Sequence, residues 1–172
     1  MPTIDELSAR VDDLAGRLDT AESLLAIHAL KAHYAELVDA RFARGAVIDR
    51  DRLVDLAAAA AELFTEDGVW DGGPALGVAR GRVEIAARLA EPTLVFSRHL
   101  FVQPSLAVDG AAATGRWQLL CPCTGADGAA LWMSGWEDDT YVRVDGRWLH
   151  ASMRLTTVFV APAGVGWPRI LA

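Results

Sequence analysis

The sequence has few cysteines, no excess of basic residues and no long apolar segment, and each scarcity excludes a class of protein. Its 172 residues include two cysteines and carry a formal net charge of −7. An acidic chain suits neither nucleic acid nor an anionic membrane, because both attract basic patches. No apolar run reaches the about 18 residues that indicate a transmembrane helix. Residues 1–13 are acidic and periodic, unlike a secretory signal, so we expect a cytoplasmic protein.

Cofactor and metal motifs are also missing. The two cysteines, Cys121 and Cys123, have no second Cys or His pair at the spacing of a zinc site. Side chains two residues apart on a strand point to the same side, so a disulfide between them would be strained. We therefore predict two reduced thiols on one face of a strand. Gly72-Gly73 and the glycines at 164 and 166 lack the spacing of a nucleotide-binding loop, and we predict no metal and no cofactor.

What is present is a chain with enough apolar residues to build one sizeable core. Hydrophobic residues make up 52% of the sequence and charged residues 23%, which indicates a globular rather than a disordered protein. The length fits a single domain. Helical periodicity dominates before Pro92 and strand patterns follow it, so the predicted fold class is α+β.

The first 25 residues carry apolar side chains at strict intervals of three and four. The series is Ile4, Leu7, Val11, Leu14, Leu18, Ala21 and Leu25. Such a narrow seam over three heptads is typical of a coiled coil, so residues 1–23 are predicted to be a helical oligomerisation extension of a dimer or trimer. The alternative is an amphipathic helix that lies on its own domain. Thr20 and Ser23 could cap a new helix, which leaves open whether there are one or two.

A second helical stretch, residues 27–39, places Tyr34 and Asp39 among apolar side chains. We predict that this helix continues to about Arg44, where Gly45 ends it. Five residues turn a helix by roughly 140°, so Tyr34 and Asp39 share only a wide inward-facing stripe. A tyrosine and a carboxylate near one interior are candidates for proton transfer, provided that a base lies close to them.

Two Asp-Gly pairs, Asp109-Gly110 and Asp145-Gly146, join long segments of strand character. Asp-Gly between such segments is a strong β-hairpin signal. The predicted strands cover residues 94–108, 111–121, 131–144 and 147–160. Strands of this length must curl, and a curled sheet that helices close at one end leaves a conical cavity. Residues 163–172 are predicted to form a tail that lies over the cavity mouth or against a neighbouring subunit.

Five segments, taken in order, carry a resemblance to a known family. They are residues 63–70, Gly81-Arg82, His99, residues 114–117 and residues 139–148. Together they resemble the SnoaL-like branch of the nuclear transport factor 2 (NTF2-like) superfamily over residues 24–162, nearest in pattern to scytalone and bile-acid dehydratases and to a dehydrochlorinase. The resemblance implies a cone of curved antiparallel β-sheet packed against N-terminal helices. It leaves the reaction open, because the superfamily includes dehydratases, an isomerase, polyketide cyclases and non-catalytic dioxygenase subunits.

The resemblance also implies roles for single residues. His99 matches the catalytic histidine, and Asp39 matches the helix carboxylate that is paired with it in the dehydratase and dehydrochlorinase members. Tyr34 stands where the bile-acid dehydratases have a tyrosine. The imidazole would take a proton from the carbon next to a carbonyl, the carboxylate would stabilise the imidazolium, and the phenol would donate to the enolate or to a leaving hydroxyl. Cys121 replaces an aspartate of the bile-acid dehydratases, which argues against a bile-acid substrate.

A further group of residues is predicted to contact the substrate. The group is Trp70, Trp117, Cys121, Trp136 and Tyr141. Aromatic walls suit a flat polycyclic or aromatic molecule, although most of the tryptophans are expected in the core. The structural alternatives are a hydrogen-bonded strand histidine for His99 and a capping or ion-paired residue for Asp39. Asp138 and Asp139 are expected at the edge of the sheet, where one of them pairs with Arg143 or Arg154.

Two functions of different classes remain open. The first is a cofactor-independent lyase or isomerase, or a polyketide cyclase-like enzyme, that acts on a carbonyl-bearing hydrophobic small molecule. The second is a non-catalytic member, either a ligand-binding module or a structural subunit. The coexistence of His99 and Asp39 favours the first, whereas Cys121 and the long apolar seam favour the second. A hydrophobic pocket into which His99 points, with Asp39 on its other nitrogen, would discriminate between them.

Overall fold

The structure, a computed structural model, describes residues 1–164 and consists of four helices and nine strands over that range. The helices are α1 (Ile4–Asp39), α2 (Arg50–Ala61), α3 (Gly73–Leu76) and α4 (Gly81–Leu89). The strands are β1 (Phe42–Ala43), β2 (Ala46–Val47), β3 (Phe64–Asp71), β4 (Val78–Arg80), β5 (Phe96–Ser97), β6 (Leu100–Asp109), β7 (Ala112–Thr124), β8 (Ala130–Val144) and β9 (Arg147–Pro162).

The N-terminal region is one continuous helix rather than two. The side chain of Thr3 accepts from the backbone N–H of Glu6 while the Glu6 carboxylate accepts from that of Thr3, a capping box that fixes the start of α1. All residues up to 22 are exposed, and the buried side chains begin at Ser23. The first half of α1 therefore projects from the domain, and only the second half packs against it.

The end of α1 differs from the prediction, because the helix stops at Asp39 and not at Arg44. Residues 42–47 form a small hairpin, β1 with β2, whose turn has positive φ at Arg44 (53°) and Gly45 (79°). Gly45 is thus a hairpin turn residue and not the end of the helix. Asp39 becomes the last helical residue, which has consequences for the site described below.

The seven strands β3 to β9 form one curled sheet, separate from the small β1–β2 hairpin. Its order is β4-β3-β9-β8-β7-β5, and β6 also pairs with β7. The predicted turns at Asp109-Gly110 and Asp145-Gly146 are present, between β6 and β7 and between β8 and β9. All pairings are antiparallel except that of β3 with β9, which is parallel. The sheet is therefore mixed, because β3 enters it after a helix rather than through a hairpin.

The predicted strand over residues 94–108 is interrupted. The structure divides it into β5 and β6, with Arg98 and His99 in the gap between them. Further along, the pairing of β8 with β9 shifts register between Ser134 and Gly135, where a Cβ on Gly135 would lie 2.0 Å from the Thr156 carbonyl oxygen. Only glycine allows this approach, and bulges of this kind bend a strand. The bend contributes to the curl of the sheet.

The helices α1 and α4 pack on the sheet and α2 packs against both of them. Together they bury one principal core, to which Ile27, Phe64 and Ile85 contribute with no exposed surface. The predicted α+β class and the NTF2-like cone are confirmed. Within residues 1–164, no helix is both long and apolar enough to cross a membrane. The predicted tail lies for the most part outside the described residues, so its position over a cavity or a neighbour stays a prediction.

Candidate active site

The imidazole of His99 and the carboxylate of Asp39 are in direct contact. His99 Nδ1 lies 2.7 Å from Asp39 Oδ1, and the backbone N–H of His99 donates to both carboxylate oxygens at 3.1 Å. The ring of His99 also stacks on Phe101, with centroids 5.8 Å apart. These contacts fix the orientation of the ring. Within the described residues Nε2 has no hydrogen-bond partner, so it is the nitrogen that remains available to a ligand.

The local folding of two segments explains why this pair forms. Asp39 ends α1, where the carbonyl ends of the helix dipole disfavour a negative charge. The gap between β5 and β6 supplies the compensating donors. Its backbone leaves the N–H of His99 free for the Asp39 carboxylate, and Arg98 Nε lies 3.5 Å from Asp39 Oδ2. Arg41 and Arg44 are nearer to Asp39 in the sequence, but among the described residues neither forms an ion pair with it. Arg41 instead donates to the carbonyls of Val38 and Leu89.

His99 lines a cavity of about 80 Å³ between the second half of α1 and the sheet. The polar members of its wall are Tyr34, Arg41, Arg88, Thr93, Ser97, His99 and Glu137. The remaining wall is mostly apolar, with Trp70, Leu119, Met133 and Leu155 among its residues. A volume of about 80 Å³ has room for the reacting end of a small molecule but not for a polycyclic body, since ligand pockets span about 300–1,000 Å³.

A wider apolar groove of about 980 Å³ adjoins this cavity. The two share a wall formed by Leu76, Thr93, Leu94, Met133 and Leu155. The groove continues past α3 and along the far ends of β8 and β9, where Leu131 and Val160 line it. Its volume and apolar lining suit the hydrophobic body of a ligand whose polar end enters the inner cavity.

Tyr34 reaches the same inner cavity as His99. Its hydroxyl accepts a hydrogen bond from the indole N–H of Trp70 at 2.9 Å, which leaves its own hydrogen available to donate. Burial and the nearby carboxylate of Glu137 hold the pKa of Tyr34 well above its usual range. The phenol is therefore a neutral hydrogen-bond donor at physiological pH.

A second cluster of charged residues lies deeper in the core, centred on Lys31. This residue is the only lysine of the chain, and its side chain is 1% exposed. Its ammonium donates to Glu137 Oε2 and, at 2.7 Å, to Asp139 Oδ2. Although burial disfavours a charged amine, the two carboxylates raise the pKa of Lys31. The cluster touches the cavity through Glu137, which lines its wall.

Asp139 connects this cluster to an aromatic chain of hydrogen bonds. Tyr141 donates to Asp139 Oδ2 at 2.7 Å and accepts from Trp117 Nε1 at 2.8 Å. Burial raises the pKa of Asp139 to about 6 against the opposing effect of Lys31, and Glu137 adds to the rise. The adjacent His150 is fully buried, with neither ring nitrogen hydrogen-bonded. Burial and the charge of Lys31 lower the pKa of His150 well below 6.5.

The residues predicted to contact a substrate are not all brought together. Trp70 lines the inner cavity, whereas Trp117 and Tyr141 lie behind it in the buried hydrogen-bond chain. Cys121 is completely buried between cavity-lining Leu119 and groove-lining Cys123 on β7. Trp136 donates to Asp138, and both lie on the face of β8 opposite to cavity-lining Glu137. Alternate residues of a strand point to opposite sides of the sheet.

The cysteines agree with the prediction of free thiols on one strand face, since both are buried and neither is in a disulfide. A hydrogen bond with Cys123, and then burial, raises the pKa of the Cys121 thiol above its usual range. Cys121 is therefore a neutral thiol and does not supply the acid that the related dehydratases have at this point. Within residues 1–164 no group of three or more potential ligands is arranged for a metal ion.

The expectation that Asp138 and Asp139 lie at the sheet edge is wrong. They are on β8, an interior strand between β7 and β9. Asp138 pairs with Arg116 rather than with Arg143 or Arg154, and Asp139 is buried with Lys31. Sequence reasoning missed Lys31 and Glu137 altogether. The available signal was that the chain's only lysine falls on the inward side of α1, four residues after Ile27 and three before Tyr34.

A cone-shaped α+β domain with a histidine–carboxylate pair in its cavity is the class of protein that these observations define. Residues 19–154 match the model of the SnoaL-like domain. The match covers most of the chain, so the protein belongs to the SnoaL-like domain family. No curated protein matches the sequence.

Solved structures of similar proteins agree with this fold. A Mycobacterium tuberculosis protein of unknown function, Rv3472, is 28% identical, with 80% of this chain and 72% of that one covered and a TM-score of 0.62. A proposed scytalone dehydratase of Novosphingobium aromaticivorans is 21% identical over 85% and 91% of the two chains, with a TM-score of 0.66. The hexachlorocyclohexane dehydrochlorinase LinA-type3 of Novosphingobium barchaimii is 19% identical over 92% and 97%, with a TM-score of 0.67.

Proposed function

We propose that the protein is a cofactor-independent lyase or isomerase that removes a proton from the carbon next to a carbonyl of a hydrophobic small molecule. The observation that carries this proposal is the contact of His99 Nδ1 with Asp39 at 2.7 Å on the wall of a cavity, with Nε2 unpartnered among the described residues. A base held in this way has a fixed tautomer and a free nitrogen, which are the two requirements for abstracting a proton from a bound substrate.

In this proposal His99 Nε2 takes the proton. Asp39 accepts from Nδ1–H, holds the ring in place and stabilises the imidazolium that forms. Tyr34 donates its hydroxyl hydrogen to the oxygen on which negative charge develops, either the enolate oxygen or a departing hydroxyl. Loss of hydroxide from the neighbouring carbon, which takes the proton from the imidazolium and leaves as water, completes a lyase reaction. Return of the proton to another carbon completes an isomerisation. Attack of the enolate carbon on a second carbonyl of the same molecule, whose oxygen then takes the proton, closes a ring.

The shape of the two adjoining spaces supports a substrate with a small reacting end and a larger apolar body. The inner cavity of about 80 Å³ would hold the carbonyl and the carbon that is deprotonated. The apolar groove of about 980 Å³ would hold the body of the molecule, against Leu76, Leu94 and Met133. Polycyclic and aromatic ketones, or β-hydroxy ketones, have this combination of features.

Exchange of substrate protons with solvent is the direct test. Candidate aryl ketones and β-hydroxy ketones are incubated with the protein in D₂O, and deuterium at the carbon next to the carbonyl is measured by mass spectrometry. We expect His99→Gln to lower the exchange rate by about 10²–10⁴-fold, while the melting temperature stays close to that of the wild type. The matched control is His33→Gln, because His33 is an exposed histidine on α1, away from the cavity wall, and among the described residues it pairs with Glu36. A His99→Gln variant with full activity would remove histidine as the base.

A non-catalytic ligand-binding protein is the second candidate, and the small size of the inner cavity favours it. If ligands occupy only the outer groove, they do not reach His99 Nε2. Mass spectrometry of molecules that co-purify with the protein distinguishes the two candidates. A ligand that remains bound and unchanged, with no deuterium gained in D₂O, supports the binding protein. A ligand that exchanges or is converted supports the enzyme.

A further inference from the structure

The first half of α1 presents an apolar seam that its own domain does not cover. The seam consists of Ile4, Leu7, Val11, Leu14, Leu18, Ala21 and Leu25, and its six large side chains are each at least 46% exposed. A single ion pair, Asp19 with Arg143, ties this half of the helix to the described domain. Contiguous exposed apolar side chains of this kind mark an interaction surface.

The seam points away from the domain that carries it. The buried residues of α1 are Ser23, Ile27, Leu30, Lys31, Tyr34, Val38 and Asp39. At about 100° per residue, the centre of this buried stripe lies roughly 160° around the helix from the centre of the seam. A partner helix can therefore cover the seam without displacing any core contact.

We propose that residues 4–25 of α1 form a parallel, in-register, two-stranded coiled coil with the same residues of a second copy of this chain. The heptad pattern specifies the occupant. Ile4, Val11, Leu18 and Leu25 fall at a positions, and Leu7, Leu14 and Ala21 fall at d positions. β-Branched Ile4 and Val11 at a, with leucine at d in the same two heptads, favour two parallel strands over trimers and tetramers. The outer positions, which include Asp12 and Gly16, stay in solvent.

The charges beside the seam distinguish a parallel pair from an antiparallel one. Arg10 and Arg17 occupy g positions, and Glu22 occupies an e position. In a parallel pair each Arg17 lies beside Glu22 of the second copy, an attractive contact between g and the following e position. In an antiparallel pair that keeps the seam in contact, Arg10 lies beside Arg17 of the second copy, and the like charges repel. Among residues 1–164 of one chain, Arg17 makes only an exposed pair with Asp13 at 3.5 Å.

Disulfide trapping in the full chain tests the orientation. In the proposed dimer residue 7 of one copy faces residue 7 of the other, whereas in the antiparallel pair the two are about 16 Å apart along the axis. We expect Leu7→Cys to form a covalent dimer on mild oxidation. The wild type and Asp12→Cys are the controls, because Cys121 and Cys123 are buried and Asp12 lies on the outer side. An uncrosslinked Leu7→Cys that is still dimeric would overturn the parallel orientation.

Charge reversal in sedimentation equilibrium experiments is an independent test. Arg17→Glu places like charges beside each other in the parallel dimer and should weaken it by about fivefold, whereas it would strengthen an antiparallel dimer. The double variant Arg17→Glu with Glu22→Arg restores the attraction and the wild-type affinity. Both variants lose the pair with Asp13, so the double variant isolates the contact between copies.

Disruption of the seam gives the largest expected effect on assembly. Leu14→Asp should convert the dimer to a monomer, while circular dichroism and the melting temperature show a folded domain, because Leu14 makes no core contact. Asp12→Ala, on the outer side of the same turn, should leave the dimer intact. A wild-type chain that sediments as a monomer or a trimer, or a Leu14→Asp variant that remains dimeric, would overturn the proposal.

Discussion

Two histidines of this protein lie near aspartates, and their surroundings make them opposites. His99 is hydrogen-bonded to Asp39 at 2.7 Å and borders a cavity. His150 lies 3.7 Å from Asp139 and is completely buried, and neither of its ring nitrogens has a hydrogen bond within the described part of the chain. The oxygen of Asp139 that approaches His150 already accepts from Lys31 and Tyr141. The carboxylate that would activate His150 is therefore committed to other donors.

In the proposed mechanism, a histidine and an aspartate act as a proton-transfer pair only where a third element allows it. At His99 that element is a cavity, which leaves one nitrogen free for a ligand while the other is held. At His150 the third element is burial beside the Lys31 ammonium. Burial and the charge of Lys31 lower the pKa of the imidazole and keep it neutral. The first pair leaves one ring nitrogen of His99 available at the cavity wall, and the second is part of a buried structural network.

Replacement of the aspartate by asparagine in each pair should distinguish the two histidines most clearly. Asp39→Asn cannot stabilise an imidazolium at His99, so we expect proton exchange to fall by about 10²–10⁴-fold. Asp139→Asn should leave the rate per folded molecule within about twofold of the wild type, because His150 does not meet substrate in the proposed mechanism. The measurement is deuterium incorporation in D₂O. Equal losses in the two variants would show that the deep cluster takes part in catalysis.

Removal of Lys31 should have the largest effect on stability. Lys31→Met leaves the carboxylates of Glu137 and Asp139 buried without their cation, and breaking a buried ion pair in this way costs about 3–5 kcal/mol. Urea unfolding of the variant measures this loss. Arg143→Met, which removes an exposed pair with Asp19, is the matched control and should be nearly neutral. Restoration of stability by adding Glu137→Gln to Lys31→Met would assign the loss to the unpaired charge.

The contact of Tyr34 with Trp70 should contribute a smaller amount. Tyr34→Phe keeps the ring but leaves the buried indole N–H of Trp70 without its acceptor, at a cost of about 1–2 kcal/mol. A double-mutant cycle with Trp70→Phe, followed by urea unfolding, isolates the hydrogen bond. The single Tyr34→Phe variant should also slow proton exchange, since it loses the proposed donor. No coupling in the cycle would contradict the hydrogen bond itself.

The pH dependence of stability should report the proton on Asp139. The ordinary pKa of an aspartate is 3.8, and the pKa of Asp139 in the folded chain is about 6. At a pH between these two values, the folded chain holds a proton that the unfolded chain has lost. The stabilisation is complete below pH 3.8 and is lost as the pH rises through about 6. The free energy of unfolding of the wild type relative to Asp139→Asn should fall across this window. A difference that rises with pH would contradict a buried, protonated Asp139.

Much of the fold could be predicted because its signals are local. The Asp-Gly turns at 109–110 and 145–146 and the seam of α1 rest on spacing or on turn chemistry within a few residues. The errors occurred where a local signal has two meanings. Gly45 was expected to end a helix, and it serves instead in a hairpin turn that also accepts a glycine.

The candidate site was predictable only in part. The resemblance to the family pointed to His99 and Asp39, and the structure places His99 Nδ1 2.7 Å from Asp39 Oδ1. It did not point to Lys31, whose partners Glu137 and Asp139 are more than 100 residues away on β8. Trp136 illustrates the same limit, since an aromatic residue on a strand lies on one face or the other according to register.

By itself, the sequence determined the helical character of residues 4–39, the two Asp-Gly hairpins, the apolar seam and the α+β class, since each depends on side-chain periodicity or turn chemistry along a short segment. Only the tertiary structure decided which imidazole has an accessible nitrogen and which carboxylate is neutralised by an ammonium. The physical reason is that the charge state of a buried group depends on solvation and on the few charges within hydrogen-bonding distance. In this protein those neighbours come from α1, the gap between β5 and β6, and the middle of β8.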